Sequence, residues 1–199
     1  VSYIRRQKEF YGLEFYVDER VLVPRPETEV LVEAALELSS LFENSVRLHD
    51  AFTGSGAVAI TVKHERSKIA VSASDRSQQA LEVAERNAVN IVGKQIIPFY
   101  QSDLLKGVPG NFDLITSNPP YLSRGEVSTM RENGWPEPME ALDGGEDGLE
   151  VIEAFLPQAL DSLDKGGYLL LEADARHMAS VFVLMKNKAG RVIGFEKLN

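Results

Sequence analysis

The segment Phe112-Asp-Leu-Ile-Thr-Ser-Asn-Pro-Pro-Tyr121 decides the fold that we expect for this chain of 199 residues. Its first half, residues 112–116, is an apolar run typical of a buried strand. Pro119 and Pro120 fix their own φ at about −65° and lack amide donors, and the first of them also holds Asn118 extended. The segment therefore predicts a stiff turn that presents a carboxamide, a ring and free carbonyl oxygens at the carboxyl end of a strand. Open α/β sheets bind ligands at such ends, although a rigid turn without chemistry is the alternative.

The composition indicates one globular domain. Apolar residues make up 44% of the chain and charged residues 26%, which suits a single sizeable core. The sequence predicts no membrane span, because no apolar run approaches ~18 residues, and no signal peptide. It holds no cysteine and only three histidines, so we expect no disulfide, no cysteine nucleophile and no metal site.

The net charge of −9 bears on the partners of the protein. An acidic surface repels phosphates, so broad binding to nucleic acid is disfavoured and nucleic acid is not expected as the direct substrate. We expect a cytoplasmic enzyme or protein-binding domain that acts as a monomer and has no contact with a membrane.

The amino-terminal part, residues 1–23, predicts a small β element, because two short aromatic runs flank Gly12 as in a hairpin. The rest, residues 24–199, is interpreted as the main domain. Pro24 and Pro26 hold its beginning extended, and Pro26 then favours the first turn of a helix. Apolar side chains at three- and four-residue spacing extend that helix to about residue 42.

From residue 46 onward strands and helices alternate, which predicts a parallel, doubly wound sheet of the α/β class. Pro157 is expected to kink one of the helices. Residues 122–147 contain the only tryptophan and show no clear periodicity, so a lid or binding loop is predicted there. The predicted strands are residues 46–50, 69–74, 95–100, 112–116, 168–171 and 191–197, and the predicted helices are residues 57–66, 77–92, 148–163 and 175–188.

Successive strand ends carry groups that suit an adenosine-type ligand. The turn Phe52-Thr-Gly-Ser-Gly56 lets backbone approach a ligand closely at the start of a helix. Asp75 ends the second strand, where a carboxylate can bind ribose hydroxyls. Asp103 ends the third strand, with Ser102 and Leu104 beside it to flank an adenine ring. Each carboxylate alone could equally be a helix cap, but the strand ends together favour the ligand.

The glycine turn favours S-adenosylmethionine over a nicotinamide dinucleotide. A dinucleotide cradle needs a third glycine, whereas Val58 and Ala59 stand at that spacing here. S-adenosylmethionine has no phosphates and carries a positive sulfonium, which suits acidic strand ends. The sequence therefore predicts S-adenosylmethionine as the cofactor.

Asn118-Pro-Pro-Tyr121 resembles the motif of methyltransferases that act on the planar nitrogens of adenine, guanine or glutamine. Further segments narrow the resemblance: Val23-Pro-Arg-Pro-Glu-Thr-Glu29, Gly54-Ser-Gly56 and Ala141-Leu-Asp-Gly-Gly-Glu-Asp-Gly148. With these segments the chain, from about residue 9 to residue 172, resembles the glutamine methyltransferases of peptide-chain release factors, which are the HemK-like family.

The resemblance implies the class I S-adenosylmethionine-dependent methyltransferase (Rossmann-like) fold, a doubly wound, mostly parallel seven-stranded-type sheet, here with a small amino-terminal β-hairpin. Residues 24–199 would then be the catalytic domain. The implied reaction methylates the side-chain amide of the glutamine in the Gly-Gly-Gln motif of a release factor, which is the expected protein partner.

The resemblance also implies roles for single residues. Asn118 and Pro119 would accept both amide N–H groups of the substrate and stabilise positive charge on its nitrogen, and Tyr121 would pack against the amide; these are the expected catalytic residues. The expected substrate-binding residues are Asn118, Pro119, Pro120, Tyr121, Glu27 and Arg25. The expected donor-binding residues are Thr53, Gly54, Ser55, Gly56, Asp75, Ser102, Asp103, Asn118 and Thr28. For Arg25 a surface ion pair is the alternative role.

The chain departs from the family pattern in three places. Phe52 stands where the family usually has the first glycine of its loop, so a positive φ there would cost ~1–2 kcal/mol and the ring is expected to crowd the donor. The family's helical amino-terminal domain is expected to be absent, which leaves residues 1–23 as a hairpin linker, and the terminal strand pair is expected to be cut short. Two alternative functions stay open: an adenine- or guanine-amino methyltransferase acting on DNA or rRNA, and a donor-binding domain impaired by Phe52.

Overall fold

The computed structural model of the chain describes residues 2–189, with side chains described up to residue 184. The strands in this part are β1 (Gln7–Phe10), β2 (Leu13–Tyr16), β3 (Arg47–Ala51), β4 (Ala70–Asp75), β5 (Phe99–Gln101), β6 (Phe112–Ser117) and β7 (Leu163–Leu171). The α-helices are α1 (Ser2–Arg5), α2 (Glu29–Ser39), α3 (Ala57–Glu65), α4 (Gln78–Ile91), α5 (Arg124–Glu132), α6 (Glu150–Ser162) and α7 (Met178–Ala189). Short 3₁₀ turns cover Pro26–Thr28, Met139–Ala141 and Ala175–His177.

One parallel sheet organises the domain, with the strand order β5-β4-β3-β6-β7. The chain starts this sheet in the middle at β3, runs outward through β4 to β5, and returns to the other side of β3 as β6. The strand order therefore reverses between β3 and β6, and sheets of this kind bind ligands in the crevice outside the carboxyl ends of those strands. The predicted doubly wound parallel sheet is confirmed.

The central strands are buried along most of their length. Residues 48–51 of β3 are all buried, and Leu114 and Ile115 of β6 are fully buried. Such continuous burial, rather than alternation, is typical of a parallel sheet covered by helices. Ala51 pairs with Ser117 at the ends of β3 and β6, so the two strand tips that border the crevice lie level with each other.

The predicted amino-terminal hairpin is confirmed, and it packs onto the main domain. Tyr11 and Gly12 form the turn between β1 and β2 with φ of 52° and 72°, as a type I′ turn requires. Asn87 of α4 ties the hairpin down, because its side chain accepts from Tyr16 N at 2.8 Å and donates to Tyr16 O at 3.0 Å. Asn87 Nδ2 also donates to Ser55 O at 2.9 Å, so the hairpin supports the glycine turn after β3.

Some predicted boundaries were wrong. The strand predicted at residues 95–100 is reduced to β5, because Pro98 has no amide to donate and pairing with β4 begins at residue 99. The helix predicted from Pro26 to about residue 42 begins as a 3₁₀ turn and ends at Ser39. The strand predicted at residues 168–171 begins earlier, at Leu163, and its register against β6 shifts around Gly166, a residue with a φ of 86°.

The stretch of residues 122–147, predicted as a lid or binding loop, contains regular structure, and its role stays a prediction. It contains α5, which opens with a capping box in which Ser123 and Glu126 bond each other's backbone amides. Only Val127 of α5 is buried, so the helix leaves no apolar periodicity in the sequence. The capping box is itself a sequence signal for a helix start, and it was missed.

The remaining predictions concern the carboxyl-terminal part of the chain. α6 runs through Pro157, and the kink expected there stays a prediction. The helix predicted at residues 175–188 is found as a 3₁₀ turn followed by α7. The last predicted strand, residues 191–197, lies outside the described residues. Within residues 2–189, no helix combines the length and the apolar character needed to cross a lipid bilayer.

Candidate active site

The glycine loop, residues 52–56, joins β3 to α3 along a left-handed backbone path. Phe52, Gly54 and Gly56 have φ of 58°, 54° and 82°. A Cβ at Gly56 would lie 2.6 Å from Ile60 Cδ1, so the close approach of the loop to α3 requires glycine. A Cβ at Gly54 would meet no atom within 4 Å, so the loop is open on that side and its backbone can be approached by a ligand.

Phe52 has the positive φ that was expected to strain a residue other than glycine at this position. Its ring packs edge-to-face against Phe155 of α6, with 5.1 Å between the ring centroids. The same ring joins an apolar cluster that includes Phe112 and Ile115 of β6. Phe52 therefore takes part in the packing between the sheet and α6.

Asp50 anchors the glycine loop to the neighbouring strand, and sequence reasoning missed it. The carboxylate is buried and accepts from Thr53 Oγ1 at 2.6 Å and from Thr116 Oγ1 at 2.7 Å. Burial raises the pKa of Asp50 to about 6, while the bonds from both threonines oppose that rise. The available signal was an acidic residue at the end of a buried strand, directly before a glycine turn.

Asp75 links the glycine loop to the start of α4. Its Oδ2 accepts from Gly54 N and its Oδ1 from Ser77 N, both at 2.9 Å. Burial raises the pKa of Asp75. The cap of α4 is Ser77, whose Oγ accepts from Ala80 N at 3.2 Å, and Asp75 supports that cap from outside the helix. A carboxylate offers about four lone-pair sites, so Asp75 keeps acceptor capacity for a ribose hydroxyl.

Ser102 and Asp103 follow β5 at the same edge of the sheet but in different surroundings. Ser102 is buried, and its amide donates to Asp75 O at 2.9 Å. Its hydroxyl donates to Lys106 O at 2.9 Å. Asp103 is exposed and forms an ion pair with Lys106 at 2.5 Å. Leu104 has a φ of 59°, which bends the chain directly after the strand end.

The Asn118 turn, residues 118–121, stands at the tip of β6. Asn118 Nδ2 donates to Thr28 Oγ1 at 3.2 Å, and this bond joins positions that lie 90 residues apart in the chain. Pro119 and Pro120 are buried, and Tyr121 is half-buried. Burial raises the pKa of Tyr121, and the charge of a nearby glutamate raises it further.

Glycines of the Ala141–Gly148 segment enclose the backbone of this turn. A Cβ at Gly148 would lie 2.4 Å from Tyr121 O, and one at Gly144 would lie 2.9 Å from Pro120 O. His177, in the 3₁₀ turn before α7, donates from Nε2 to Tyr121 O at 3.2 Å. Glycine is therefore needed at these positions, because side chains there would displace the Asn118 turn.

Arg25, whose side chain is 39% exposed, forms an ion pair with the buried carboxylate of Glu137. Glu137 has a relative exposure of 5% and accepts from Arg25 Nη2 at 2.5 Å, Trp135 Nε1 at 2.9 Å and Val23 N at 3.2 Å. These bonds clamp the segment around Arg25 to the stretch that carries α5. Glu27 is exposed in the 3₁₀ turn that follows Arg25.

Glu172 is a further candidate that sequence reasoning missed. It directly follows β7, and its amide donates to Ser117 O at 2.9 Å. Burial is the main cause that raises the pKa of its carboxyl, and the charge of Glu27 adds to it, while hydrogen bonds from Thr28 and Asn118 oppose it. Within the described residues its Oε2 is buried without a hydrogen-bond partner. The strand-end rule, if extended to the fifth strand of the sheet, points to this residue.

The structure brings most of the predicted site residues to one edge of the sheet. Asp50 joins the glycine loop to β6, and Thr28 joins the Asn118 turn to the 3₁₀ turn before α2. Asp103 is the exception, since it faces solvent beside Lys106. A groove of about 420 Å³ adjoins this edge between Arg76 and the α5 stretch. In residues 2–189 no three His, Cys, Asp or Glu side chains are grouped to hold a metal ion.

Solved structures with the same fold are methyltransferases. A SAM-dependent methyltransferase from Agrobacterium tumefaciens is 19% identical, with a TM-score of 0.67 over 92% of this chain and 57% of that chain. A ribosomal protein L11 methylase from Lactobacillus delbrueckii subsp. bulgaricus is 21% identical, with a TM-score of 0.58 over 82% of this chain and 69% of that chain. The chain therefore has the class I, Rossmann-like methyltransferase fold that the sequence predicted.

Curated relatives indicate which methyltransferase family the chain belongs to. The release factor glutamine methyltransferase of Koribacter versatilis is 41% identical over 174 residues, which are 86% of this chain and 61% of the relative. That of Coxiella burnetii is 37% identical over 194 residues, which are 97% of this chain and 69% of the relative. The chain spans about 60% of the length of several such relatives. Residues 27–132 match the family model of the methyltransferase small domain, and the chain belongs to the release factor glutamine methyltransferase family.

Proposed function

We propose that this chain transfers a methyl group from S-adenosylmethionine to the side-chain amide of the glutamine in the Gly-Gly-Gln motif of peptide-chain release factors. One observation carries the proposal: Asn118 of the planar-nitrogen motif is bonded to Thr28 of the Pro-Arg-Pro-Glu-Thr-Glu segment. The general motif and the family-specific segment thus meet at one pair of side chains. The relatives named for this activity support the same substrate. The proposal includes a monomer that acts in the cytoplasm.

The residues around the glycine loop fit S-adenosylmethionine. The open side of Gly54 exposes backbone to a ligand, and Asp75 keeps acceptor sites for ribose hydroxyls beside its bonds to backbone amides. When bound, this donor supplies an activated methyl group, because its sulfonium becomes a neutral thioether once the methyl group is transferred. The proposed donor-binding residues are Thr28, Thr53, Gly54, Ser55, Gly56, Asp75, Ser102, Asp103 and Asn118.

The Asn118 turn acts on the acceptor nitrogen in this proposal. An amide nitrogen is a poor nucleophile because its lone pair is delocalised into the carbonyl group. Asn118 Oδ1 and the Pro119 carbonyl oxygen accept its two N–H groups, which orients the lone pair and stabilises the positive charge that develops as the N–C bond forms. Orientation of reactants contributes up to ~7–11 kcal/mol. The nitrogen then releases one proton, and the product is a neutral secondary amide.

The substrate is positioned by side chains that surround this turn. The ring of Tyr121 packs against the planar amide, and its π face favours cationic character by ~0.5–2 kcal/mol. Pro120 keeps the turn stiff. Arg25 is already fixed by Glu137, so it can contact the release factor without a large loss of side-chain entropy. Glu27 is exposed beside Arg25 and is the other proposed contact.

The test is methyl transfer from S-adenosylmethionine with a tritiated methyl group. We expect label in a purified bacterial release factor, and none in the same factor with its Gly-Gly-Gln glutamine replaced by alanine. DNA and ribosomal RNA are the competing substrates, and label in nucleic acid alone would contradict the proposal and favour the amino-methyltransferase alternative. Calorimetry with the donor covers the remaining alternative, because a chain that binds no donor is an impaired domain.

A further inference from the structure

Glu172 lies behind the Asn118 turn, on the far side from the substrate amide of the proposed reaction. Three elements meet there: the end of β7, the tip of β6 and the 3₁₀ turn that contains Thr28. Glu172 N is tied to Ser117 O at 2.9 Å, which places Glu172 beside the residue that precedes Asn118. The side chains of Thr28 and Asn118 both act to lower the pKa of its carboxyl, so Glu172 lies beside both members of the Asn118–Thr28 pair.

The carboxylate is placed at a cost to the fold. Its Oε2 is buried with no hydrogen-bond partner among the described residues, and a buried polar atom without a partner is destabilising. Glu27 adds the repulsion of a second negative charge. A glutamine would relieve the repulsion and an apolar side chain would relieve both effects, so a function for the carboxylate is the physical explanation that remains.

We propose that Glu172 is a positioning residue that fixes which way the Asn118 carboxamide faces, with Nδ2 toward Thr28 and Oδ1 toward the substrate amide. The proposal rests on the function proposed above. An ionised carboxylate can only accept hydrogen bonds, so the Thr28 hydroxyl must donate to it and is left to accept from Asn118 Nδ2. The observed bond from Asn118 Nδ2 to Thr28 Oγ1 has this direction.

The opposite orientation shows why a carboxylate is needed. A hydroxyl can either donate or accept, so Thr28 alone does not distinguish the two ends of the Asn118 amide group. With glutamine at position 172, an N–H could donate to Thr28 Oγ1, and the Thr28 hydroxyl could then donate to Asn118 Oδ1. The carboxamide would be reversed, and an NH₂ group would face the N–H groups of the substrate.

Other charged and titratable groups face this site. Tyr121 lies beside it. Burial and the charges of Glu172 and Asp174 raise the pKa of Tyr121, and the charge of Arg25 lowers it. Glu27 is the acidic neighbour from the 3₁₀ turn. Tyr121 stays neutral below its ordinary value of 10, and burial raises the pKa of Glu172, so the carboxyl of Glu172 is the group beside Asn118 whose protonation alters the hydrogen-bond directions as the pH falls.

The first experiment observes Asn118 directly. In the ¹⁵N-labelled protein, the side-chain NH₂ signal of Asn118 is assigned by its loss in Asn118→Asp. We expect this signal to move as Glu172 is protonated on lowering the pH, and to be displaced and insensitive to that titration in Glu172→Gln. Thr28→Val, which removes the hydroxyl at similar volume, should displace it as well. An Asn118 signal that is unchanged in Glu172→Gln would overturn the proposal.

The second experiment separates turnover from binding. With tritiated S-adenosylmethionine and a purified release factor, Glu172→Gln should lower kcat by about 10²-fold, the size expected when a reacting group is misplaced. The Kd of the donor and the KM of the release factor should stay within about threefold of the wild type, since Glu172 reaches both only through Asn118 and Thr28, which are two of many proposed contacts. Glu172→Asp keeps an acceptor-only side chain and should recover part of kcat.

Controls keep the two proposals distinguishable. Glu153→Gln makes the same chemical change at an exposed position of α6 and should leave kcat unchanged. An equal loss of donor binding and turnover in Glu172→Gln would indicate a merely structural role and contradict the positioning role. If the wild type binds the donor but does not label the release factor, the proposed function fails, while the Asn118 signal still decides whether Glu172 orients the carboxamide.

Discussion

The glycine loop and the Asn118 turn meet at the same edge of the sheet, but their polar groups are satisfied to different degrees. In the glycine loop, the carboxylates of Asp50 and Asp75 each accept hydrogen bonds on both oxygens, all from residues close to the loop or on adjacent strands. Behind the Asn118 turn, Glu172 Oε2 and Ser117 Oγ are buried without partners among the described residues. Unsatisfied groups of this kind are uncommon in folded proteins.

This difference separates a part of the site that the fold completes by itself from a part that is built around a reacting group. Changes in the glycine loop should therefore appear mainly in stability and donor affinity. Changes around the Asn118 turn should appear mainly in turnover, because most of the proposed donor-binding residues lie outside this turn.

Asn118→Ala should give the largest effect on turnover. It removes an acceptor for the substrate N–H groups, and the loss of one such preorganised group typically lowers kcat by about 10²–10³-fold. Asn118 also belongs to the proposed donor site, but only as one of many contacts, so the donor Kd should stay within about threefold. Radiolabelled transfer and calorimetry measure the two quantities. Asn90→Ala, at an exposed position of α4, is the matched control, and a parallel loss of donor binding would contradict the division.

Glu137→Ala tests the clamp on the substrate side. It leaves Arg25, Trp135 Nε1 and Val23 N without their acceptor. Because the Arg25 side chain is 39% exposed, its charge is solvated in the variant, and the cost of about 2 kcal/mol comes mainly from the other donors that lose their partner. We expect that decrease in the free energy of unfolding by urea titration, together with a higher KM for the release factor. Glu140→Ala removes an exposed carboxylate that pairs with Arg76 at 3.5 Å, and it should cost no more than about 1 kcal/mol. Equal costs for both variants would show that the clamp does not stabilise the fold.

Asp50→Asn tests the glycine loop through pH. Burial raises the pKa of Asp50 from 3.8 to about 6, so the folded state holds the proton more tightly than the unfolded state does. The free energy of unfolding is therefore larger at low pH and falls as pH rises through this range. Between pH 4.5 and pH 7.5 the fall due to Asp50 is ~2 kcal/mol, and most of it takes place below pH 6.

Other carboxylates titrate as well, so the difference between the wild type and Asp50→Asn isolates this residue. Urea titrations at pH 4.5 and pH 7.5 give the comparison. The wild type should lose ~2 kcal/mol more than the variant over this interval. A variant that loses as much as the wild type would mean that Asp50 is not protonated in the folded state at pH 4.5.

The sheet and the strand-end residues could be predicted because the information for them is local. Phe112, Leu114 and Ile115 lie close together in the chain and mark a buried strand, and the glycine turn and Asp75 follow their strands directly. The clamp on Arg25 could not be predicted in the same way, because Glu137 lies 112 residues away in the chain and nothing local marks it as buried. Glu172 could be predicted in part. It directly follows a predicted strand, but the residues around it, such as Ser117, are brought to it only by the folded sheet.

The predicted third strand shows the opposite error. Residues 95–100 are rich in β-branched and aromatic residues, which favours a strand, yet only Phe99–Gln101 pairs with β4. Pro98 and the position at the edge of the sheet decide the outcome, because an edge strand receives hydrogen bonds from one neighbour only. Burial and pairing, rather than local preference, therefore set the strand length.

Replacement of Phe52 should give the smallest effect on stability. Its two replacements, alanine and glycine, differ mainly in how well the backbone tolerates a positive φ. Phe52→Ala and Phe52→Gly both remove the ring from Phe155, but only glycine relieves the left-handed φ of 58°. That relief is ~1–2 kcal/mol, and the larger entropy of glycine in the unfolded state offsets ~0.5–1 kcal/mol of it. We expect Phe52→Gly to be more stable than Phe52→Ala by about 0.5–1 kcal/mol in urea titrations.

The matched control is Glu153 in α6, where the helical backbone should reverse the sign. Glu153→Gly should be less stable than Glu153→Ala by about 1 kcal/mol. Donor affinity tests whether the Phe52 ring also obstructs the donor site. The donor Kd of Phe52→Gly should stay within about threefold of the wild type, because the ring packs with Phe112 and Phe155. A tightening of tenfold or more would show instead that the ring obstructs the donor, and the glycine loop would then not be complete by itself.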